Sequence, residues 1–268
     1  MDDPDLKLFI ALVIIAVAAG AAWYFRAEIW PPPDQPVATP PEPAGVEASA
    51  ERGPRHPITP LEAVESRQQE LVPLPPLDDS DSYFLLALID VFGADIEPLL
   101  VTEALIDKFV ATVDNLPRDH VAEKIRPVGR LTTVFRSDAT GNDGPIYLSQ
   151  ANYARYDLLV SQLASADINA LIDTYRRFYP LLQQSYERLG YPGGYFNDRV
   201  VEVIDHLLAT PQPDEPIRLV RPHVLYEFAD PDLENLSSGQ KLLLRMGSEH
   251  TALIKGVLRE LRAVLARP

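Results

Sequence analysis

Cysteine is absent from the 268-residue sequence, and this absence excludes several kinds of site. Without a thiol the chain forms no disulfide bridge, presents no thiolate nucleophile and holds no cysteine-ligated iron–sulfur cluster or zinc ion. The sequence also lacks an HExxH or HxxxH pair, a glycine-rich phosphate loop and a GxSxG segment. We therefore predict neither a metal site nor a cofactor, and no motif assigns a reaction.

Basic residues are scarce, since 24 lysines and arginines oppose 39 aspartates and glutamates and leave a formal net charge of −15. Proteins bind nucleic acid largely through lysine and arginine contacts to phosphate, which release counterions. An acidic chain repels the same phosphate backbone. Nucleic acid is therefore excluded as a predicted partner.

Proline, in contrast, is abundant and unevenly distributed. Thirteen of the 26 prolines lie between Pro31 and Pro76, among small and polar residues with no sustained apolar period. Such a stretch buries too little apolar surface to offset its conformational entropy. The sequence therefore predicts a flexible Pro-rich linker over residues 26–76. The strings PPPDQP and PLPPL within it would also suit a proline-binding domain.

One uncharged run of 18 residues extends from Leu8 to Phe25. At about 1.5 Å per residue, a helix of this length approaches the roughly 30 Å hydrocarbon core of a bilayer. Trp23, Tyr24 and Trp30 gather at its carboxyl end, where aromatic rings favour the headgroup region. We predict that residues 8–25 form a single transmembrane anchor helix, with the lipid bilayer as its partner.

Residues 1–7 are predicted to form a short tail. The alternative to an anchor helix is a cleaved signal peptide, and the charges of this tail argue against it. Asp2, Asp3 and Asp5 outnumber the single Lys7, which is the opposite of a signal peptide's basic start. Basic residues flank the run equally, but an acidic, proline-rich continuation is typical of single-span envelope proteins. We predict the amino terminus inside and the bulk of the chain in the periplasm; a cytoplasmic docking adaptor is the alternative.

Apolar residues recur with helical spacing from residue 77 to residue 268, between capping and turn residues. This pattern predicts a mainly α, multi-helix soluble domain with at most a small β-hairpin, formed by Thr132–Phe135 and Ile146–Leu148. A short extended piece is expected at Ile217–Val220. The predicted helices cover Ser82–Phe92, Thr102–Asn115, Gln150–Leu163, Asp167–Leu189, Phe196–Leu208, Ser238–Met246 and Ser248–Leu265, with a one-turn helix entered by Asp230 and Pro231.

The predicted helix Phe196–Leu208 carries a dense group of ionisable side chains. On a helical wheel its branched apolar residues fill one arc, and Asp198, Asp205 and His206 fall on the opposite arc. This pattern is typical of a solvated face. The alternative requires another element to cover that face; these residues, together with Glu227, would then supply acid and base to an envelope hydrolase of peptidoglycan or peptide.

Tyrosine is concentrated in one part of the chain, with eight of the eleven between Tyr147 and Tyr195. Helical spacing places most of them among apolar residues, which predicts structural tyrosines whose hydroxyls need partners. The alternative is an aromatic and arginine cleft for a peptide or glycan, centred on Arg155 and the glycine-rich loop Gly190–Arg199. The residues predicted to line this cleft are Arg155, Tyr156, Tyr191, Tyr195, Asn197 and Arg199.

Several separate strings resemble the bacterial domain-of-unknown-function family 3014, from about Leu74 to the end of the chain. They are VDNLPR (Val113–Arg118), NYARYD (Asn152–Asp157), YPLL (Tyr179–Leu182), LGYPGGYFNDR (Leu189–Arg199), IDHLLATP (Ile204–Pro211), VLYEFADPDLE (Val224–Glu234) and GQKLLLRMG (Gly239–Gly247). The resemblance implies a single-span envelope protein, and it supplies no catalytic residue.

These observations together predict a non-catalytic role. We expect an interaction or scaffold module, tethered to the bacterial inner membrane, that binds an envelope protein, a peptide or a cell-wall glycan. The hydrolase described above is the alternative.

Overall fold

The computed structural model of the protein describes residues 53–61, 73–129, 134–139, 144–223 and 225–267. The predicted tail and transmembrane anchor lie outside these ranges, so both remain predictions. No helix within the described ranges has the length and apolar character needed to cross a bilayer. The prediction of a mainly helical protein is confirmed, since helices dominate and are joined by one small antiparallel sheet.

Eight α-helices occur among the described residues. Those predicted at Phe196–Leu208, Ser238–Met246 and Ser248–Leu265 have the predicted bounds. Short 3₁₀ helices lie at Leu77–Asp79, Ala94–Leu99, Glu123–Ile125 and Gln150–Tyr156. In chain order the α-helices are α1 (Asp81–Phe92), α2 (Leu105–Asn115), α3 (Asp157–Ser165), α4 (Ile168–Arg188), α5 (Phe196–Leu208), α6 (Pro231–Glu234), α7 (Ser238–Met246) and α8 (Ser248–Leu265).

Helix α2 begins later than the sequence predicts. Thr102 is not its cap; the backbone N–H groups of Ala104 and Leu105 instead donate to the carboxylate of Asp81, at 2.7 Å each. Ala104 adopts a left-handed conformation with a φ of 50°. A side chain 23 residues away along the chain thus satisfies the exposed donors at the start of this helix.

The sheet contains four strands, so the prediction of at most a hairpin is wrong. The strands are β1 (Ser137–Ala139), β2 (Ile146–Leu148), β3 (Arg218–Val220) and β4 (Glu227–Phe228), paired in that order and all antiparallel. The bounds of β2 agree with the prediction, whereas its partner lies further along the chain than Thr132–Phe135. Strands of two or three residues are too short to show a clear alternating pattern, so β4 escapes sequence inspection.

The core has a large helical part and a smaller part beneath the sheet. Phe84, Phe109, Phe178 and Phe196 are almost fully buried in the helical part. The ring centroids of Phe84 and Phe178 lie 5.0 Å apart, and those of Phe109 and Phe196 lie 6.3 Å apart. Helix α5 buries its apolar arc against α2 and α8, and its first turn, with Phe196, Asn197 and Asp198, is buried as well.

Candidate functional site

Residues 53–61, which the sequence assigns to the linker, lie against the helical domain. The N–H groups of Arg55 and His56 both donate to the carboxylate of Asp198, at 2.9 and 2.8 Å. In return, the Asn197 Nδ2 donates to the carbonyl of His56 at 2.8 Å. We call residues 53–61 the docked segment, and Asn197 with Asp198 the clamp. The clamp thus bonds the main chain of the docked segment through two N–H groups and one carbonyl.

The docked segment turns alternate residues towards the domain. His56, Ile58 and Pro60 are half-buried, whereas the residues between them are exposed. Ile58 packs against the helical core, and the N–H of Leu61 donates to the carbonyl of Arg176 at 3.3 Å. The segment therefore lies along the surface of the domain, with a bend at Arg55 and His56 that turns both of their N–H groups towards Asp198.

Buried groups hold the clamp in position from behind. Asn197 is 0 % exposed, and its Oδ1 accepts from the hydroxyl of Tyr175 at 3.2 Å. Its Nδ2 donates to the carbonyl of Leu265 at 3.0 Å, which leaves one amide hydrogen for His56. Burial raises the pKa of Tyr175 well above the usual 10.0, so its hydroxyl stays protonated and donates.

The outer side of the clamp is acidic. The Arg55 Nε lies 3.7 Å from Asp198 Oδ2, and the Arg55 guanidinium also bonds the exposed Glu202. This hydrogen bond to Glu202 raises the pKa of Arg55. Asp198 itself is only 9 % exposed, because the docked segment lies over it. The prediction of a solvated polar arc on α5 is therefore wrong at Asp198.

Next to the clamp, Asp114 ties the loop Gly190–Arg199 to α2. This carboxylate is buried; its Oδ1 accepts from Arg199 Nε at 2.9 Å, and its Oδ2 accepts from Arg118 Nη2 at 2.7 Å and from the Tyr191 hydroxyl at 3.2 Å. The main-chain carbonyl of Asp114 accepts from Arg199 Nη2 at 2.8 Å. Tyr191 and Arg199, both predicted to line a cleft, thus bond a buried carboxylate.

The same loop is closed by an aromatic stack and a glutamine. The rings of Tyr186 and Tyr191 are stacked with centroids 4.6 Å apart, and a Cβ at Gly194 would meet Tyr186 at 3.0 Å. Gln183 accepts from the N–H of Phe196 at 2.8 Å and donates to the carbonyl of Gly194 at 2.7 Å. Gln183 lies in no motif, and Asp114 lies in the string VDNLPR without a predicted role, since each is one polar residue on an otherwise ordinary helix.

The remaining predicted cleft residues lie in two places. Tyr195 directly precedes α5, beside the clamp. Arg155 and Tyr156 lie on the 3₁₀ helix Gln150–Tyr156, which packs against α7, and Arg245 of α7 is the charged neighbour of both. Burial raises the pKa of Tyr156. The structure therefore gathers four of the six predicted residues around the first turn of α5 and places the other two beside α7.

The acid and base candidates of the hydrolase alternative have separate surroundings. Asp198 belongs to the clamp, and Asp205 forms an exposed ion pair with Arg262, with Asp205 Oδ2 lying 3.1 Å from Arg262 Nη2. Glu227 lies in β4 of the sheet. Within the described part of the chain, no three histidine, aspartate or glutamate side chains are grouped to hold a metal ion.

The last candidate, His206, bonds the residue that caps α7. Ser237 Oγ accepts from the N–H of Gln240 at 3.2 Å and lies 2.8 Å from His206 Nε2. Because that oxygen already accepts, the hydroxyl hydrogen of Ser237 is available to donate to a neutral imidazole. Burial, followed by the charge of Arg199, lowers the pKa of His206 below 6.5.

We expect the substitution His206→Gln to flatten the dependence of stability on pH. As the pH falls through 6.5, the unfolded chain takes up a proton before the folded chain, so the wild type loses stability down to the lower folded-state pKa. Glutamine does not titrate and removes this loss. Urea denaturation of the full chain in mild detergent, at about pH 7.5 and about pH 5.5, measures the difference. If the free energy of unfolding changes by the same amount between these two pH values in the variant and in the wild type, the prediction is wrong.

Comparison with known proteins places the helical domain in a family. No curated protein and no solved structure matches the chain. One family model, described as "Protein of unknown function (DUF3014)", matches residues 105–262. The matched range begins at the first residue of α2 and ends within α8, so it contains Asp114 and the clamp but not the docked segment. The resemblance found in the sequence is confirmed, and the chain belongs to the DUF3014 family.

Proposed function

We propose that this protein is a non-catalytic interaction module of the bacterial cell envelope. In this proposal residues 8–25 anchor it in the inner membrane, a proline-rich linker extends the chain, and the helical domain works in the periplasm. The uncharged run with its aromatic carboxyl end supports the anchor. Among protein, peptide and wall component, the main-chain contacts of the docked segment favour a peptide as the ligand class.

The clamp is the observation that carries this proposal. Asn197 and Asp198 hold the docked segment through two N–H groups and one carbonyl. Peptide-binding domains gain affinity from main-chain hydrogen bonds of this kind and specificity from the side chains between them. A general acid or base must instead reach a reacting bond. The bonds of Asp198 to main-chain donors and of Asp205 to Arg262 favour binding over hydrolysis.

Two measurements on the full chain test the proposal. A carboxyl-terminal reporter that is active only outside the cytoplasm is expected to be active in intact cells. Purified chain in detergent is expected to release no soluble fragments from peptidoglycan. A reporter that works only in the cytoplasm would contradict the placement. Fragment release that is lost on Asp198→Asn or Asp205→Asn would contradict the non-catalytic role and favour the hydrolase.

A further inference from the structure

We infer that the clamp is a receptor for a basic, proline-containing peptide of a partner protein, and that the chain's own docked segment occupies it in cis until such a peptide replaces it. This inference rests on the proposed binding function and names the ligand class and its competitor. The clamp lies inside the range shared with the family, 105–262, whereas the docked segment lies outside it.

The receptor is organised by the helical domain itself. The Asn197 side chain is oriented by Tyr175 of α4 and by the carbonyl of Leu265 at the end of α8. Behind the clamp, Val200 and Ile204 are fully buried and fix α5 against the core. None of these contacts involves residues 53–61. Asn197 therefore keeps its orientation when the docked segment leaves, and Asp198 stays beside it in the first turn of α5.

The domain holds the docked segment mainly through groups that other peptides also have. Asp198 and Asn197 bond its main chain, which every peptide has. Arg55, the residue that meets the acidic side of the clamp, has a side chain that is 61 % exposed. The apolar side chains that the segment turns towards the domain, Ile58, Pro60 and Leu61, are only half-covered. An attachment of this kind is reversible.

The charge and spacing of the docked segment indicate what the partner peptide presents. The segment GPRHPITPL has an arginine, a histidine and no acidic residue, in a chain whose net charge is −15. Its arginine faces Asp198 and Glu202, so a basic residue is favoured at this position. Its three prolines, at positions 54, 57 and 60, each fix their own φ angle, so the main chain of such a peptide is already restricted before it docks.

The effect of the docked segment on the apparent affinity of a free peptide can be estimated. Residues 62–72 join the docked segment to the domain, and a ligand on so short a connection has an effective concentration on the order of 1 mM. A free peptide binds only the fraction of molecules whose clamp is empty. If that fraction is about 1–10 %, emptying the clamp raises the apparent affinity about 10- to 100-fold.

The test uses the full chain with the double substitution R55E and H56P, which is designed to release the docked segment from the clamp. We call this variant the opened chain. Glutamate at position 55 sets a negative charge against Asp198 and Glu202, and proline at position 56 removes an N–H that Asp198 accepts. The probe is a fluorescent peptide with the sequence of residues 53–61, capped at both ends and followed by anisotropy. We expect the opened chain to bind it at least about 10-fold more tightly than the wild type.

Matched substitutions separate clamp chemistry from general effects. Asp198→Asn in the opened chain is expected to abolish binding of the peptide. Asp173→Asn, at an exposed aspartate of α4, is expected to leave binding unchanged. A peptide with glutamate in place of its arginine is expected to bind neither chain. Circular dichroism shows whether the opened chain keeps its helices.

Several results would overturn the inference. Equal peptide affinity for the wild-type and opened chains is one, and absence of binding to both is another. Loss of helical structure on opening would make the docked segment a structural strap. A wild-type dimer that opening converts to a monomer would place a second copy's segment in the clamp. Cytoplasmic placement or peptidoglycan turnover would refute the proposed function while leaving this titration unaltered.

Discussion

Replacing Asp114 with alanine is expected to destabilise the folded domain by about 3 kcal/mol. The carboxylate bonds Arg199, Arg118 and Tyr191 at once, and its own side chain is 3 % exposed. Its loss leaves the largely covered guanidinium of Arg199 without this counter-charge. Breaking a buried ion pair costs about 3–5 kcal/mol. We expect a value at the lower end of this range because Arg199 remains partly exposed to water. Chemical denaturation of the full chain measures the change.

The matched control for Asp114 is Arg118→Ala, which removes another partner from the same network. The Arg118 side chain is 53 % exposed, so its charge is already hydrated, and we expect a loss below about 1 kcal/mol. The near-ultraviolet signal of the stacked Tyr186 and Tyr191 should weaken in the Asp114 variant only. Equal losses for the two variants would show that the network does not depend on the buried carboxylate.

The second large effect is expected for Phe196→Ala, at about 4 kcal/mol. This ring is fully buried and lies 6.3 Å from Phe109 and 5.6 Å from Tyr186, measured between ring centroids. Deleting it removes buried apolar surface and leaves a cavity that the surrounding helices fill only in part. Phe196 also begins α5, directly before the clamp. Amide hydrogen exchange at Arg55 and His56 should therefore accelerate in addition.

Phe135→Ala provides the matched control for the aromatic deletion. Phe135 is half-buried at the sheet, where its ring lies 5.4 Å from that of Tyr226. We expect less than about half the loss seen at Phe196, because the site is open to water. Exchange in the docked segment should stay at the wild-type rate. If the two substitutions destabilise the chain equally, burial of Phe196 does not hold the first turn of α5.

The positions of several helices could be predicted because their signals are local. The apolar period defines α5, and the pairing of Ser237 with Gln240 forms a capping box at the start of α7. Asp230 and Pro231 begin α6 in the same way, as cap and first helical residue. In each case the residues that interact lie within a few positions of one another, so one stretch of sequence contains the whole interaction.

Other features depend on contacts that no local pattern shows. The start of α2 is set by Asp81, which lies on another helix. A second example is Lys255 of α8, which the apolar stripe of that helix predicts to face water. Lys255 is instead buried, and its ammonium donates to the carbonyl of Thr210 at 2.5 Å. Burial lowers the pKa of this lysine. A helical wheel orders residues around one axis, but it does not say which other element lies opposite them.

The candidate site shows the same division. The composition of the loop Gly190–Arg199 singles it out, and that loop does lead into the clamp. Its partners are distant: Arg199 meets Asp114 across 85 residues, and Asp198 meets Arg55 across 143. Asp114 lies in the string VDNLPR, which carries the family resemblance but assigns this residue no partner, and Arg55 lies in none of the strings quoted above.

The sequence by itself determined the helical architecture and the family, because apolar periods, caps and shared strings are properties of the chain read in order. Only the tertiary structure decided that Asp198 is covered, that Tyr191 and Arg199 converge on Asp114, and that residues 53–61 lie on α5. The physical reason is that a buried polar group takes its partner from whatever the fold brings within hydrogen-bonding distance.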